Sequence, residues 1–392
     1  MNSSTIERKR WTSVQIMRGL AALLVAAYHF EDQLLAVLGI AAPGPLSWFG
    51  FFGVDLFFVT SGFVLWPMIA KEKLTSTDRV GFLLGRTARI YIPYLAVVFV
   101  ILFFGLGSGN ADVAKSIMLY PQRISTQLLP VAWTLVYEVL FYWLAFALMF
   151  IYSSRKRYCA LSIVVGLFVL KAVVVISSGA ATFYDYNAFM ADVSWNRWVD
   201  GLLPGYLTSL WFVEFFCGVT LAYLLSLGWE SRLAKMSIVL WMAAALVLSL
   251  AIYLSINVYG VSMTRGDMFL PRIILFGGAA VLIFAAAIGT EIKDVDLGVS
   301  EKITRAFVWL GDGSYSIYLI HTVAFGIAYG NGLRTWCSSN GFSGSIVFVG
   351  YFFLVIIVSG AIGNYVELPV HRKIMLAIRR KSFFRVLPIS RC

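Results

Sequence analysis

Val14-Gln15-Ile16-Met17-Arg18-Gly19-Leu20-Ala21-Ala22-Leu23-Leu24-Val25-Ala26-Ala27-Tyr28-His29-Phe30 is an apolar stretch that carries two ionisable side chains, Arg18 and His29. A charge inside an apolar span is costly and tends to mark a functional path. The spacing of eleven residues is close to three helical turns. Both side chains therefore fall on one helix face, about 16 Å apart along the axis, which is roughly half the ~30 Å hydrocarbon thickness of a bilayer. A cation near one surface and a proton acceptor near the midplane describe a site that reaches into the membrane. The plainer alternative is an arginine that snorkels to the headgroups and a histidine that packs.

The rest of the chain is of the same kind. Its 392 residues are 60% hydrophobic and 13% charged, with mean hydropathy +0.83. An ordinary soluble domain, at roughly 45–50% apolar and ~25% charged, is excluded. Apolar runs cover 12–31, 48–70, 90–108, 130–152, 158–178, 207–226, 237–257, 271–290, 307–328 and 344–366. Each meets or approaches the ~20 residues a spanning helix needs. The expected fold class is therefore all-α, a polytopic membrane helical bundle of about ten transmembrane helices.

The net charge of +11 collects in alternate short segments. Arg8 to Arg10, Lys71 to Arg89, Arg155 to Arg157, Arg232, Lys235, Lys293, Lys302, Arg305 and the tail after Glu367 hold most of it. Lys115, Arg123, Arg197, Arg265 and Arg334 are the sparse remainder on the other side. This bias places both termini in the cytoplasm and points to anionic membrane lipids, not nucleic acid, as its partner. Residues 1–370 read as one integral membrane domain and 371–392 as a short basic cytoplasmic tail. The N-terminus shows no secretory cleavage pattern. Cys159, Cys217, Cys337 and Cys392 have no spacing that suggests a disulfide framework or a metal site. The outer loop 179–206 mixes aromatic and hydrogen-bonding residues, among them Tyr184, Asp185, Tyr186, Trp195 and Trp198. Such a surface suits a sugar, and equally an interfacial aromatic belt.

Several polar residues inside these runs have the types and spacings that chemistry needs. Asp55 lies about two turns into the second run, in Phe52-Gly53-Val54-Asp55-Leu56-Phe57-Phe58-Val59-Thr60-Ser61-Gly62-Phe63. A buried carboxylate needs a partner. His29, on the neighbouring span, is the expected one, in an Asp–His pair that orients the imidazole. Gly53, Ser61 and Gly62 read as close-packing positions. In Arg86-Thr87-Ala88-Arg89 the two arginines share a helix face, where they can grip phosphate oxygens or merely anchor at the inner surface. Thr134, Glu138 and Tyr142 step by four in the fourth span, a polar stripe facing the bundle interior; Glu214 is a weaker candidate of the same sort. In Ser314-Tyr315-Ser316-Ile317-Tyr318-Leu319-Ile320-His321, residues Ser314, Ile317, Tyr318 and His321 share one face. Pro369, in Glu367-Leu368-Pro369, is expected to stop the last span.

Together these motifs resemble the membrane acyltransferase-3 family, the O-acetylases of bacterial envelope and exported carbohydrates. The resemblance rests on Arg18 with His29, on the run Phe52 to Phe63, on Arg86 and Arg89, on Trp133-Thr134-Leu135 with Tyr137-Glu138 and Phe141-Tyr142, on Ser314 to His321, and on Glu367 with Pro369. It implies an acyl-CoA co-substrate, usually acetyl-CoA, on the cytoplasmic side of a bacterial inner membrane. It implies a carbohydrate acceptor at or beyond the outer face, and no permanently bound cofactor or metal. On that reading His29 is the general base, Asp55 orients it and Glu138 bonds the acceptor or holds the site. Arg18, Arg86 and Arg89 take the CoA phosphates, and Tyr142, Tyr315, Ser316 and His321 support. Donor and acceptor are expected to meet in a single tunnel with His29 at the junction. Some relatives carry a fused extracytoplasmic hydrolase-like domain, and this sequence is expected to resemble the stand-alone members or to work with a separate partner. A transporter or flippase of a lipid-linked saccharide is the competing class, since midplane charges suit it too. The sequence leaves open the acceptor's identity, the length of the acyl group, a covalent acyl-enzyme and a homodimer.

Overall fold

A computed structural model describes residues 11–40, 42–107, 109–122, 124–177, 211–260, 269–294, 300–330 and 332–384. Loop 179–206, with its aromatic cluster, lies outside the described residues, as does the end of the tail. Among the described residues the chain is helical and has no strand. In order come α1 (Thr12–Val37), α2 (Phe52–Ile69), α3 (Ser76–Phe104), the short α4 (Val113–Ile117), α5 (Trp133–Leu148), α6 (Ser154–Ser177), α7 (Trp211–Ser226) and α8 (Glu230–Leu254). Then follow α9 (Phe269–Arg272), α10 (Gly278–Lys293), α11 (Glu301–Asp312), α12 (Ser314–Gly330), α13 (Leu333–Ser339), α14 (Gly341–Ile362) and α15 (Leu368–Phe384).

Seven helices among the described residues are long and apolar enough to cross a bilayer, and α7 and α12 are shorter apolar helices. Their outward faces carry large bare apolar side chains, such as Phe103, Leu246 and Phe342. That surface suits lipid and would be an aggregation liability in water. Two of the expected spans take another form. The run 307–328 is two helices, α11 and α12, divided at Gly313. The last span does not stop at Pro369: one wide π turn, Gly363–Glu367, leads into α15, and the helix runs on through residue 370. A proline lacks only its own N–H, and the widened turn removes the clash with the preceding carbonyl that would otherwise break the helix.

Close helix approach is bought with glycine at two places that matter. A Cβ on Gly53 would strike the carbonyl oxygen of Ala21, which sets α2 against α1. A Cβ on Gly62 would strike Phe215, and one on Gly218 would strike Val59, which sets α2 against α7. The first helix is fixed at both ends by carboxylates. Glu291 accepts from the backbone amides of Thr12 (3.0 Å) and Ser13 (2.8 Å), an anion where the helix dipole favours one. Glu31 accepts from the amides of Leu46 (3.0 Å) and Ser47 (2.8 Å) and so pins the α1–α2 connection. The rings of Phe30, Phe348 and Phe352 pack at 4.6–5.1 Å and join α1 to α14, with Phe325 of α12 beside them. This cluster adjoins His29 and fixes its height against α12.

Candidate functional site

Five helices contribute to one polar cavity of about 90 Å³. Arg18 enters from α1, Arg86 and Arg89 from α3, Thr134, Glu138 and Tyr142 from α5, and Ser314, Tyr315 and Tyr318 from α12, while α2 supplies Phe57 and Ser61. The sequence motifs are spread over some three hundred positions, so their convergence is a property of the fold. Each arrives by simple helix geometry. Arg86 and Arg89 are one turn apart on α3, whose start is fixed by a capping box between Thr75 and Asp78. Thr134, Glu138 and Tyr142 are successive turns of α5. The Tyr142 hydroxyl donates to Glu138, and the Arg86 guanidinium stands 5.5 Å over the Tyr142 ring. The Tyr315 hydroxyl donates to the carbonyl of Ile90 at 2.9 Å, tying α12 to α3 beside Arg89. Three guanidinium groups around one small volume, with a single carboxylate among the lining residues, make a site for an anion.

The histidines lie one layer further along α1 and α12. His29 Nδ1 is 2.9 Å from the carbonyl of Val25, and His321 Nδ1 is 3.0 Å from that of Ile317. A carbonyl only accepts, so each Nδ1 carries the hydrogen. His321 Nε2 is then a bare acceptor, and it sits 3.4 Å from His29 Nδ1. The second ring nitrogen of His29 keeps a free lone pair. His29 is half-buried while His321 is fully buried, so the free base belongs to the more accessible ring. Phe57 and Tyr318 pack edge to face at 5.7 Å, and Tyr318 contacts His321 at 5.9 Å. Neither histidine lines the cavity. Phe57 and Tyr318 line the cavity on the side toward the histidines, and the expected single tunnel through to His29 is not part of this cavity.

Asp55 is elsewhere, and its expected pairing with His29 is not formed. Its carboxylate accepts from Arg272 at 3.0 Å, an ion pair buried on both sides. Glu214 of α7 lies within electrostatic reach of both. The Arg272 guanidinium is held between two rings, 4.7 Å from Phe51 and 4.2 Å from Trp211. Sequence reasoning missed Arg272 as the partner, although a lone arginine at the start of an apolar run was the available signal. Ser316 also faces away from the polar cavity and donates to Glu367 at 2.6 Å. Tyr318 shares a face with His321 in the sequence, and the structure adds that it stands between the cavity and that histidine. Among the described residues no cluster of His, Cys, Asp and Glu is suited to a metal ion.

Neither a curated protein nor a solved structure matches the chain. An acyltransferase-domain family profile does, over residues 11–363. The matched segment runs from the start of α1 to the π turn before α15 and contains the whole polar cavity and both histidines. By that match this multi-pass membrane protein belongs to the acyltransferase-3 family.

Proposed function

We propose that the protein moves an acyl group, acetyl in the first instance, from cytoplasmic acyl-CoA to a hydroxyl of an extracytoplasmic or lipid-linked carbohydrate. Its place is the bacterial inner membrane, with about ten spans and both termini inside. The observation that carries the reading is the pairing on α1: an arginine in a cationic cavity at one level, and eleven residues on a histidine with a free ring nitrogen. The three arginines suit the CoA phosphates, which bidentate guanidinium groups recognise well. The thioester then advances along α1, past Phe57 and Tyr318, toward His29.

At the junction, the free nitrogen of His29 removes the proton from the acceptor hydroxyl as that oxygen attacks the thioester carbonyl. The C–S bond breaks and the CoA thiolate leaves, collecting the proton from the imidazolium. The Nδ1 hydrogen of His29 already has two acceptors, the Val25 carbonyl and the Nε2 of His321. The cation that forms is therefore stabilised without a carboxylate in contact, a role a triad gives to aspartate. Glu138, tied to Tyr142, holds the cavity wall beside Arg86 and Arg89.

Purified protein supplied with labelled acetyl-CoA should release CoA only when a carbohydrate acceptor is present. His29→Ala should lower that rate by about 10²–10⁴, the usual worth of a general base, with the fold retained. Full transfer by His29→Ala would remove the histidine from the chemistry, and CoA release with no acceptor dependence would remove the acceptor class.

A further inference from the structure

A second cavity, of about 410 Å³, lies on the other side of α12. It is walled by α3, α12 and the last helix pair, and its lining is aliphatic apart from one end. On α12 the lining positions are Ser316, Leu319, Ile320, Val323, Ala324 and Ile327, a stripe distinct from Tyr318 and His321. At the polar end stand Arg89, Glu367 and His371. The Ser316 hydroxyl occupies the Glu367 carboxylate, and His371 Nε2 donates to the carbonyl of Gly85 at 3.1 Å. Just beyond, Arg372 and Lys373 are exposed on α15.

We propose that this groove holds one acyl chain of an anionic phospholipid of the cytoplasmic leaflet, with its phosphate at the basic rim formed by Arg89, Arg372 and Lys373. Three observations converge on that occupant. The first is length. From Arg89 to Val100 on α3, and from Ser316 to Ile327 on α12, the lining runs eleven residues, about 16 Å at 1.5 Å per residue. One leaflet of the ~30 Å hydrocarbon layer has the same depth. The second is polarity: an aliphatic slot that ends in cations at one mouth matches a fatty tail with an anionic head. The single carboxylate there, Glu367, is engaged by Ser316, and the cations outnumber it. The third is separation. The reactive end of a donor belongs beside His29, on the other stripe of α12, so a donor's own tail would have to cross that helix to enter. A bilayer lipid reaches the slot sideways.

Arg89 lines both cavities. The lipid phosphate and the proposed donor phosphates thus share a cation, and lipid composition would set donor affinity. That consequence and the argument from separation rest on the proposed function; the length and polarity of the slot do not.

The test is lipid retention, which needs no activity. Full-length protein from detergent, examined by native mass spectrometry after exchange into mixed phosphatidylglycerol and phosphatidylcholine, should keep about one phosphatidylglycerol per chain. Ala96→Trp puts an indole into the slot from an exposed position on α3. It should lower retention at least about tenfold with unchanged melting and gel-filtration behaviour. Arg372→Glu with Lys373→Glu should abolish the preference for the anionic lipid. Retention unaffected by Ala96→Trp, or equal retention of phosphatidylcholine, would overturn the proposal. Displacement of the lipid by palmitoyl-CoA but not by acetyl-CoA would also overturn it, by assigning the slot to a donor tail.

Discussion

Around the polar cavity, Arg18, Arg86, Arg89 and Glu138 surround open volume; on another face of α2, Asp55 pairs with Arg272, and Glu214 stands beside them with neither carboxylate oxygen hydrogen-bonded. Both groups put charges inside an apolar bundle, at a cost that must be repaid. They differ in what surrounds them. Asp55, Glu214 and Arg272 are 0%, 2% and 4% exposed, and the cation is sandwiched between Phe51 and Trp211. None of the three lines the cavity. Such a cluster joins helices: it locks α2, α7 and the chain entering α10. The cavity arginines have space in front of them and are only half-buried; apart from one contact of Arg86 with the Met68 sulfur, this leaves most of their hydrogen-bonding capacity for a ligand. Burial alone therefore does not tell a functional charge from a structural one; what the charge faces does.

The comparison breaks most sharply at Arg272. Removing one partner of a buried pair costs about 3–5 kcal/mol, because the other charge is left alone. Arg272→Ala should lower the melting temperature and the yield of folded protein, with activity per folded molecule little changed. Asp55→Leu with Arg272→Met should recover much of that stability, since a buried pair replaced as a unit is often neutral. If Arg272→Ala kept its melting temperature and lost turnover, the closed cluster would belong to the chemistry. At the cavity the pattern reverses. Arg86→Ala and Arg89→Ala should each raise the donor KM, by about ten- to hundredfold if each charge-assisted contact is worth about 1.5–3 kcal/mol. They should do so with a steep salt dependence and little change in melting. Unchanged donor affinity, measured by calorimetry, would take them out of the phosphate site.

Sequence periodicity made the helical bundle and most of the cavity legible. Arg18, Arg86, Arg89, Glu138, Tyr142 and Tyr315 do converge, because spacings of three, four and eleven residues hold on any helix. The partner of Asp55 was legible only in part. Gly53 meets Ala21 of α1, and Asp55, two residues on, is about 200° further round the helix at 3.6 residues per turn. A close-packing glycine at 53 and an aspartate at 55 cannot both face α1. Naming Arg272 required the tertiary fold, since 217 positions separate the pair. The His29–His321 contact spans 292 positions and was hidden for the same reason. Arg157 shows the opposite error. It reads as one of three loop cations that set topology, yet it is buried and donates to the carbonyls of Ile69, Lys71 (2.7 Å) and Ile151 (2.6 Å), closing the end of α2.

A smaller effect sharpens the cavity side. Tyr142→Phe keeps the ring under Arg86 and removes only the donor to Glu138. A net hydrogen bond is worth about 1 kcal/mol and somewhat more when one partner is charged. Turnover or donor affinity should fall about five- to tenfold, with melting lowered by no more than a few degrees. An effect as large as that of Glu138→Gln would mean that the tyrosine hydroxyl itself touches substrate.

The smallest effect should come where charge is fully wet. Glu72, in the exposed connection between α2 and α3, accepts from the Ser154 hydroxyl at the start of α6. That hydrogen bond holds its carboxyl below the ordinary value. A carboxylate depressed in the folded state adds stability above its unfolded pKa of about 4.3 and loses it as pH falls through the folded value. Glu72→Gln should therefore be slightly destabilising at neutral pH and indistinguishable from the parent well below pH 4. The difference should be a few tenths of a kcal/mol, the scale of solvated surface charges. A loss at neutral pH near that of Arg272→Ala would show that water does not screen this end of the bundle, and that solvent access does not rank the charges of this protein.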